Sequence, residues 1–169
     1  MQICCMWLVK MNKFVFVAIP VILVLLSCLL QVIIIDRTFW TDESFTQLTI
    51  EKNLNIQQFR EYDVHPPGYY KVLGLWEMFN PLNIVEHMWL RLFSTVCAAL
   101  FILVVMLMLE KLFGLNWKMF VVGVLISLST TIAYFGSEAR SYILVMLLSA
   151  LAVYFVLDDK LLIIPVSIT

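Results

Sequence analysis

Charge is scarce in this 169-residue chain: only 14% of its residues are Asp, Glu, Lys or Arg, against roughly 25% in soluble domains. Eleven basic and twelve acidic residues leave a net charge of −1, without the basic face that nucleic-acid binders carry. Glycine and proline number five each, and no glycine-rich phosphate loop, internal repeat or low-complexity tract occurs. A P-loop nucleotide enzyme and a repeat array are thereby excluded. The four cysteines, at positions 4, 5, 28 and 97, have neither metal-ligand spacing nor the pattern of a disulfide framework.

Apolar residues fill the space. They make up 63% of the chain, and the mean hydropathy is +0.97, a composition that predicts an integral membrane protein of all-α, polytopic architecture. Apolar runs close to the roughly 17–25 residues of a spanning helix predict spans at 14–35, 91–112, 118–137 and 140–157. The apolar stub 161–169 predicts a fifth span cut short.

Segment 67–79 is apolar but short, and it contains Lys71 and Glu77. If it does not cross, Lys10, Lys13, Lys111, Lys118 and Lys160 all fall on one side, as the cytoplasmic excess of basic residues requires. That places the chain in the cell membrane as a multi-pass protein with a cytoplasmic amino terminus. Residues 36–90 then form one outer loop carrying interfacial helices. Within it, 67–79 is expected to lie along the interface, anchored by Trp76, Tyr69 and Tyr70. An earlier helix is expected to be capped by Thr41 and to present Phe45, Leu48 and Phe59 on its apolar face.

The polar loop holds the candidate chemistry. Asp42 and Glu43 stand just past the first span, where a carboxylate meets both water and lipid headgroups; the plain alternative is a pair of acids favoured by a helix dipole. His65-Pro66-Pro67-Gly68 fixes the backbone and so aims His65. Asp42, Glu43, Asp63 and His65 could together hold a divalent cation, the carboxylates supplying hard oxygen ligands, against which stands a lone, hydrogen-bonding histidine. Arg140, in Ser137-Glu138-Ala139-Arg140-Ser141-Tyr142, opens a helix at the same face as Asp42. It suits a salt bridge to Glu138 or a loop acid, snorkelling to the interface, or a clamp on lipid phosphate. Arg91, in Trp89-Leu90-Arg91-Leu92-Phe93-Ser94, is expected to snorkel.

Taken in order, the acid pair after the first span, the H-P-P-x-Y-Y run, the R-L-x-S start of the next span and the later E-A-R-x-Y resemble C-type-fold membrane glycosyltransferases. The likeness is to the group containing the protein O-mannosyltransferases and the aminoarabinose transferases of lipid A. It covers residues 13–160, which correspond to the amino-terminal third of such an enzyme, whose carboxy-terminal part would be a partner. The resemblance implies inverting transfer of a sugar from a polyprenyl-phosphate-linked donor to a lipid, glycan or protein acceptor at the outer face. It assigns catalysis to Asp42, with Glu43 beside it, and carrier-phosphate binding to Arg140, His65, Tyr142 and Arg91. Ser141 stands where the family usually has methionine. A reading from another class is a small non-enzymatic helical membrane protein or remnant subunit.

Overall fold

The computed structural model describes residues 13–35, 40–51, 67–80, 84–114 and 117–158. They form seven helices and no strand: α1 (Lys13–Ile35), α2 (Thr41–Glu51), α3 (Pro67–Glu77), α4 (Glu86–Phe113), α5 (Trp117–Ser127), α6 (Thr130–Gly136) and α7 (Tyr142–Asp158). The all-α expectation holds for these residues. The leader, the loop residues around Asp63 and His65, and the stub 161–169 lie outside the described residues.

The centre of the bundle is α4, against which α1, α3, α5, α6 and α7 all pack. Its buried positions Leu90, Ser94, Ala98, Ile102 and Met106 recur every four residues, close to the helical period that keeps side chains on one face. α7 answers with Ile143, Leu147 and Ala150. α4 stops where Gly114 takes a φ of +67°, its N–H donating to the Glu110 carbonyl at 2.8 Å, an end that favours a residue without a Cβ.

With 28 residues, α4 is long and apolar enough to cross a membrane. The expected continuous span at 118–137 is instead two helices, α5 and α6, bent by 49° at Leu128 and Ser129. The cause is local. Buried Ser127 turns its hydroxyl back to the Gly123 carbonyl at 2.8 Å, a competing bond that bends helices, and Ser129 follows in extended backbone. Gly123 also lets α5 close on α4, since a Cβ there would sit 2.6 Å from the Met106 sulfur.

The outward faces are as apolar as the core. Leu25, Ile33, Leu125, Val145, Leu148 and Phe155 are each more than half exposed, giving more apolar surface than soluble monomers usually show.

α3 departs from the interfacial expectation in its orientation. Tyr69 is buried, not outward. Trp76 stacks on Trp89 with ring centroids 4.7 Å apart, and the two indoles exchange hydrogen bonds. Trp76 Nε1 donates to the Trp89 carbonyl at 2.9 Å, and Trp89 Nε1 to the Trp76 carbonyl at 3.0 Å. This clasp fixes α3 to the first turn of α4. The ridge left outward is Val72, Leu75, Met78 and Phe79.

Candidate functional site

Five segments converge at one end of the bundle: the end of α1, the start of α2, the start of α4, the turn after α6 and the start of α7. Glu43 lies at their meeting point and is 1% exposed. It is the third residue of α2, whose cap is Trp40, one residue before the expected Thr41. The Trp40 carbonyl accepts the Ser44 N–H at 2.9 Å, and the Glu43 carboxylate returns to the Trp40 N–H at 3.3 Å. That return is the glutamate half of a capping box.

The other donors to Glu43 come from far along the chain. Arg91 Nε donates to Oε1 at 3.0 Å and Arg91 Nη2 to Oε2 at 2.6 Å, a bidentate pair. The Ala139 N–H donates to Oε1 at 2.8 Å. Arg91 Nη1 also donates to the Ile35 carbonyl at 2.7 Å, satisfying one of the open carbonyls at the end of α1. Burial alone would push the Glu43 carboxyl up. The hydrogen bonds from Arg91 and Ala139, the Arg91 charge and the Trp40 bond together outweigh it and hold the group below its ordinary value. Glu43 is therefore an anchor that is ionised at neutral pH, with both oxygens occupied.

Arg91 does not snorkel: it is fully buried, at 0% exposure. A guanidinium so placed requires a partner, and Glu43 is that partner.

Asp42 differs from its neighbour. Its side chain is 63% exposed and faces Arg140, whose Nη2 lies 3.1 Å from Asp42 Oδ2. Among the expected readings of Arg140, the structure contains the ion pair to a loop acid. Arg140 also lies over the Tyr142 ring, 4.9 Å from its centroid, within cation–π range. Asp42, Glu43, Arg91, Arg140 and Tyr142 are thus brought together. His65 lies outside the described residues, so the cation site drawn from Asp42, Glu43, Asp63 and His65 extends beyond them. Among the described residues no three His, Cys, Asp or Glu side chains cluster as metal ligands do.

Other residues support the site without having been singled out from the sequence. On α2 the buried side is Glu43, Thr46 and Thr49, while Leu48, expected on the apolar face, is exposed. The two threonine hydroxyls return to the carbonyls of Asp42 and Phe45. Thr95 Oγ1 donates to the Gly136 carbonyl at 3.1 Å. Gln31 is fully buried, its Nε2 donating to Ser27 Oγ at 3.0 Å. A glutamine within an apolar run is a readable signal, because polar groups there require a partner. Beneath Glu43, burial pushes the Tyr69 hydroxyl far above its usual range; nearby Ser94 opposes this in part, and Cys97, Tyr70 and Glu43 add to it.

Compared with models of protein families, with curated proteins and with solved structures, the chain matches none.

Proposed function

We propose that this chain is the amino-terminal module of a C-type-fold membrane glycosyltransferase, which moves a sugar from a polyprenyl-phosphate donor to an acceptor hydroxyl at the outer face of the membrane. The observation that carries the reading is the Asp42–Arg140 pair, an exposed carboxylate 3.1 Å from a guanidinium that is 25% exposed. It sits on the buried Glu43–Arg91 pair. In this reading α1, α4, the bent α5–α6 pair and α7 are four spans, with the amino terminus inside. The apolar outward surfaces of these helices support that arrangement, and the Val72, Leu75, Met78 and Phe79 ridge of α3 rests in the interface.

The chemistry needs little covalent help, because phosphate is already a good leaving group. The Asp42 carboxylate takes the acceptor's hydroxyl proton as its oxygen attacks the anomeric carbon from the side opposite the phosphate. The bond from that carbon to the phosphate oxygen breaks, and its electron pair leaves with the polyprenyl phosphate, giving inversion. Arg140 stabilises the charge gathering on the phosphate, the kind of fixed electrostatic help that lowers such barriers most. Tyr142 keeps the guanidinium in place. Glu43 and Arg91 position Asp42 by fixing the start of α2.

Transfer from labelled polyprenyl-phosphate sugars, assayed with this chain and longer versions of it, tests the proposal. In an active preparation Asp42→Asn is expected to lower turnover by about 10²–10⁴, the usual worth of general-base help. Arg140→Lys keeps the charge but loses the planar fork, and is expected to weaken carrier binding. Normal transfer by inserted Asp42→Asn protein sinks the assignment.

A further inference from the structure

The turn after α6 supplies two of the site's contacts, the Ala139 N–H on Glu43 and the Arg140 guanidinium on Asp42. Nothing in the site itself explains how that turn is held at the right height. Immediately before it, Gly136 is buried where α6 meets both α1 and α4. A Cβ at Gly136 would lie 2.5 Å from Gln31 Oε1, 2.7 Å from Gln31 Cδ and 2.9 Å from the Ala98 Cβ. Side-chain carbons do not approach other atoms that closely, so only glycine fits. The Gln31 amide can swing away, but the Ala98 Cβ moves only with α4.

Three further features converge on this point. The Gly136 carbonyl accepts the Thr95 hydroxyl from α4 at 3.1 Å. Gln31 Oε1 is buried with no hydrogen-bond partner among the described residues, so the glycine Cα–H is the donor surface facing it, a weak contact of the kind that recurs where helices come close. Ser137 then ties the start of the turn to α6, its Oγ donating to the Tyr134 carbonyl at 2.9 Å.

We infer that Gly136 is a positioning residue: its missing side chain lets α6 settle against Gln31 and Ala98, and that seat sets the height at which the Ala139 N–H and Arg140 reach the acid pair. The purpose of the seat rests on the glycosyltransferase reading; the seat itself does not. A Cβ at position 136 lifts the end of α6 away from α1 and α4, and the turn moves with it. Glu43 then loses one of its donors and Arg140 moves away from Asp42.

Amide hydrogen exchange on the full chain in lipid nanodiscs tests this without any assay of activity. Gly136→Ala is expected to speed exchange in residues 137–141 at least tenfold while α1, α4 and α7 keep their protection. Adding Gln31→Ala and Ala98→Gly removes the atoms that the new Cβ would strike, and is expected to restore the wild-type protection of 137–141. Gln31→Ala with Ala98→Gly alone serves as the control and should leave that segment protected. Unchanged exchange in Gly136→Ala overturns the inference, and so does a loss spread over all helices or one that the triple variant does not repair. Sugar transfer measured on the same variants separates the two ideas. Restored protection, with no transfer by this chain or by any longer version of it, keeps the seat and removes the enzyme.

Discussion

Two adjacent acids with opposite surroundings define the site at the scale of single residues. Glu43 is sealed and saturated; Asp42 is open to solvent beside one guanidinium. Removing one member of a buried ion pair leaves the other charge uncompensated, typically at about 3–5 kcal/mol. Glu43→Ala and Arg91→Ala are each expected to lower the melting temperature of the detergent-solubilised chain sharply, while the double change to apolar residues of similar volume should cost far less. Equal losses in single and double variants would refute this coupling. The pH dependence follows from the same pair. Because the folded carboxyl titrates below its ordinary value of 4.5, its stabilisation is complete above that value and is lost as pH falls below it through the folded value. Melting measured from neutral pH downwards should therefore hold through mild acid and fall beneath that point, and Glu43→Gln should flatten this part of the profile.

At the scale of elements, the sequence made the helices legible more readily than the faces they bury. α1, α4 and α7 follow from long apolar runs, and their ends fall within a few residues of expectation. The α5–α6 break was not visible, because 118–137 is one apolar run and the Ser127 back-bond is a choice of side-chain rotamer. On α3, Tyr69 and Trp76, expected at the interface, pack inward. Tyr69, Leu73 and Trp76 share one face and Val72, Leu75 and Phe79 another, and both are apolar enough to serve as either the core or an interface. Packing against α4 decided, through the two tryptophans. Trp76→Phe removes one indole donor and weakens the stack, and is expected to cost about 1 kcal/mol. It should be seen as a lower melting temperature with faster amide exchange in α3, and unchanged exchange there would show that the clasp is not what holds the helix.

The whole molecule shows why the acid pair and Arg140 were legible and the partners of Glu43, Arg91 and the Ala139 N–H, were not. Two carboxylates after an apolar run are conspicuous in one dimension. That Arg91, Arg140 and the Ala139 N–H meet them depends on the relative heights of α1, α2, α4 and the α6–α7 turn, set by close contacts such as Gly136 on Ala98. The proposed orientation is testable at the same scale. Single cysteines at Leu48 on α2 and Leu112 near the end of α4, both exposed in the fold, should differ in intact cells with the other cysteines replaced. The first should react with an impermeant thiol reagent and the second only after permeabilisation. Labelling in the reverse order would invert the topology and move Asp42 to the cytoplasmic side.

The spacing of the Glu43 donors along the chain bears on how the protein is made. Arg91 lies 48 residues and Ala139 lies 96 residues after the carboxylate they serve. A ribosome therefore delivers the acid first, its counter-ion later and its last donor only once the α6–α7 turn has emerged. Through that interval Glu43 is a charge awaiting company at the rim of a growing apolar bundle, held by its bond to the Trp40 N–H and by water. The chain up to Glu138 thus carries its central anion incompletely paired, and the site is completed by the α6–α7 turn.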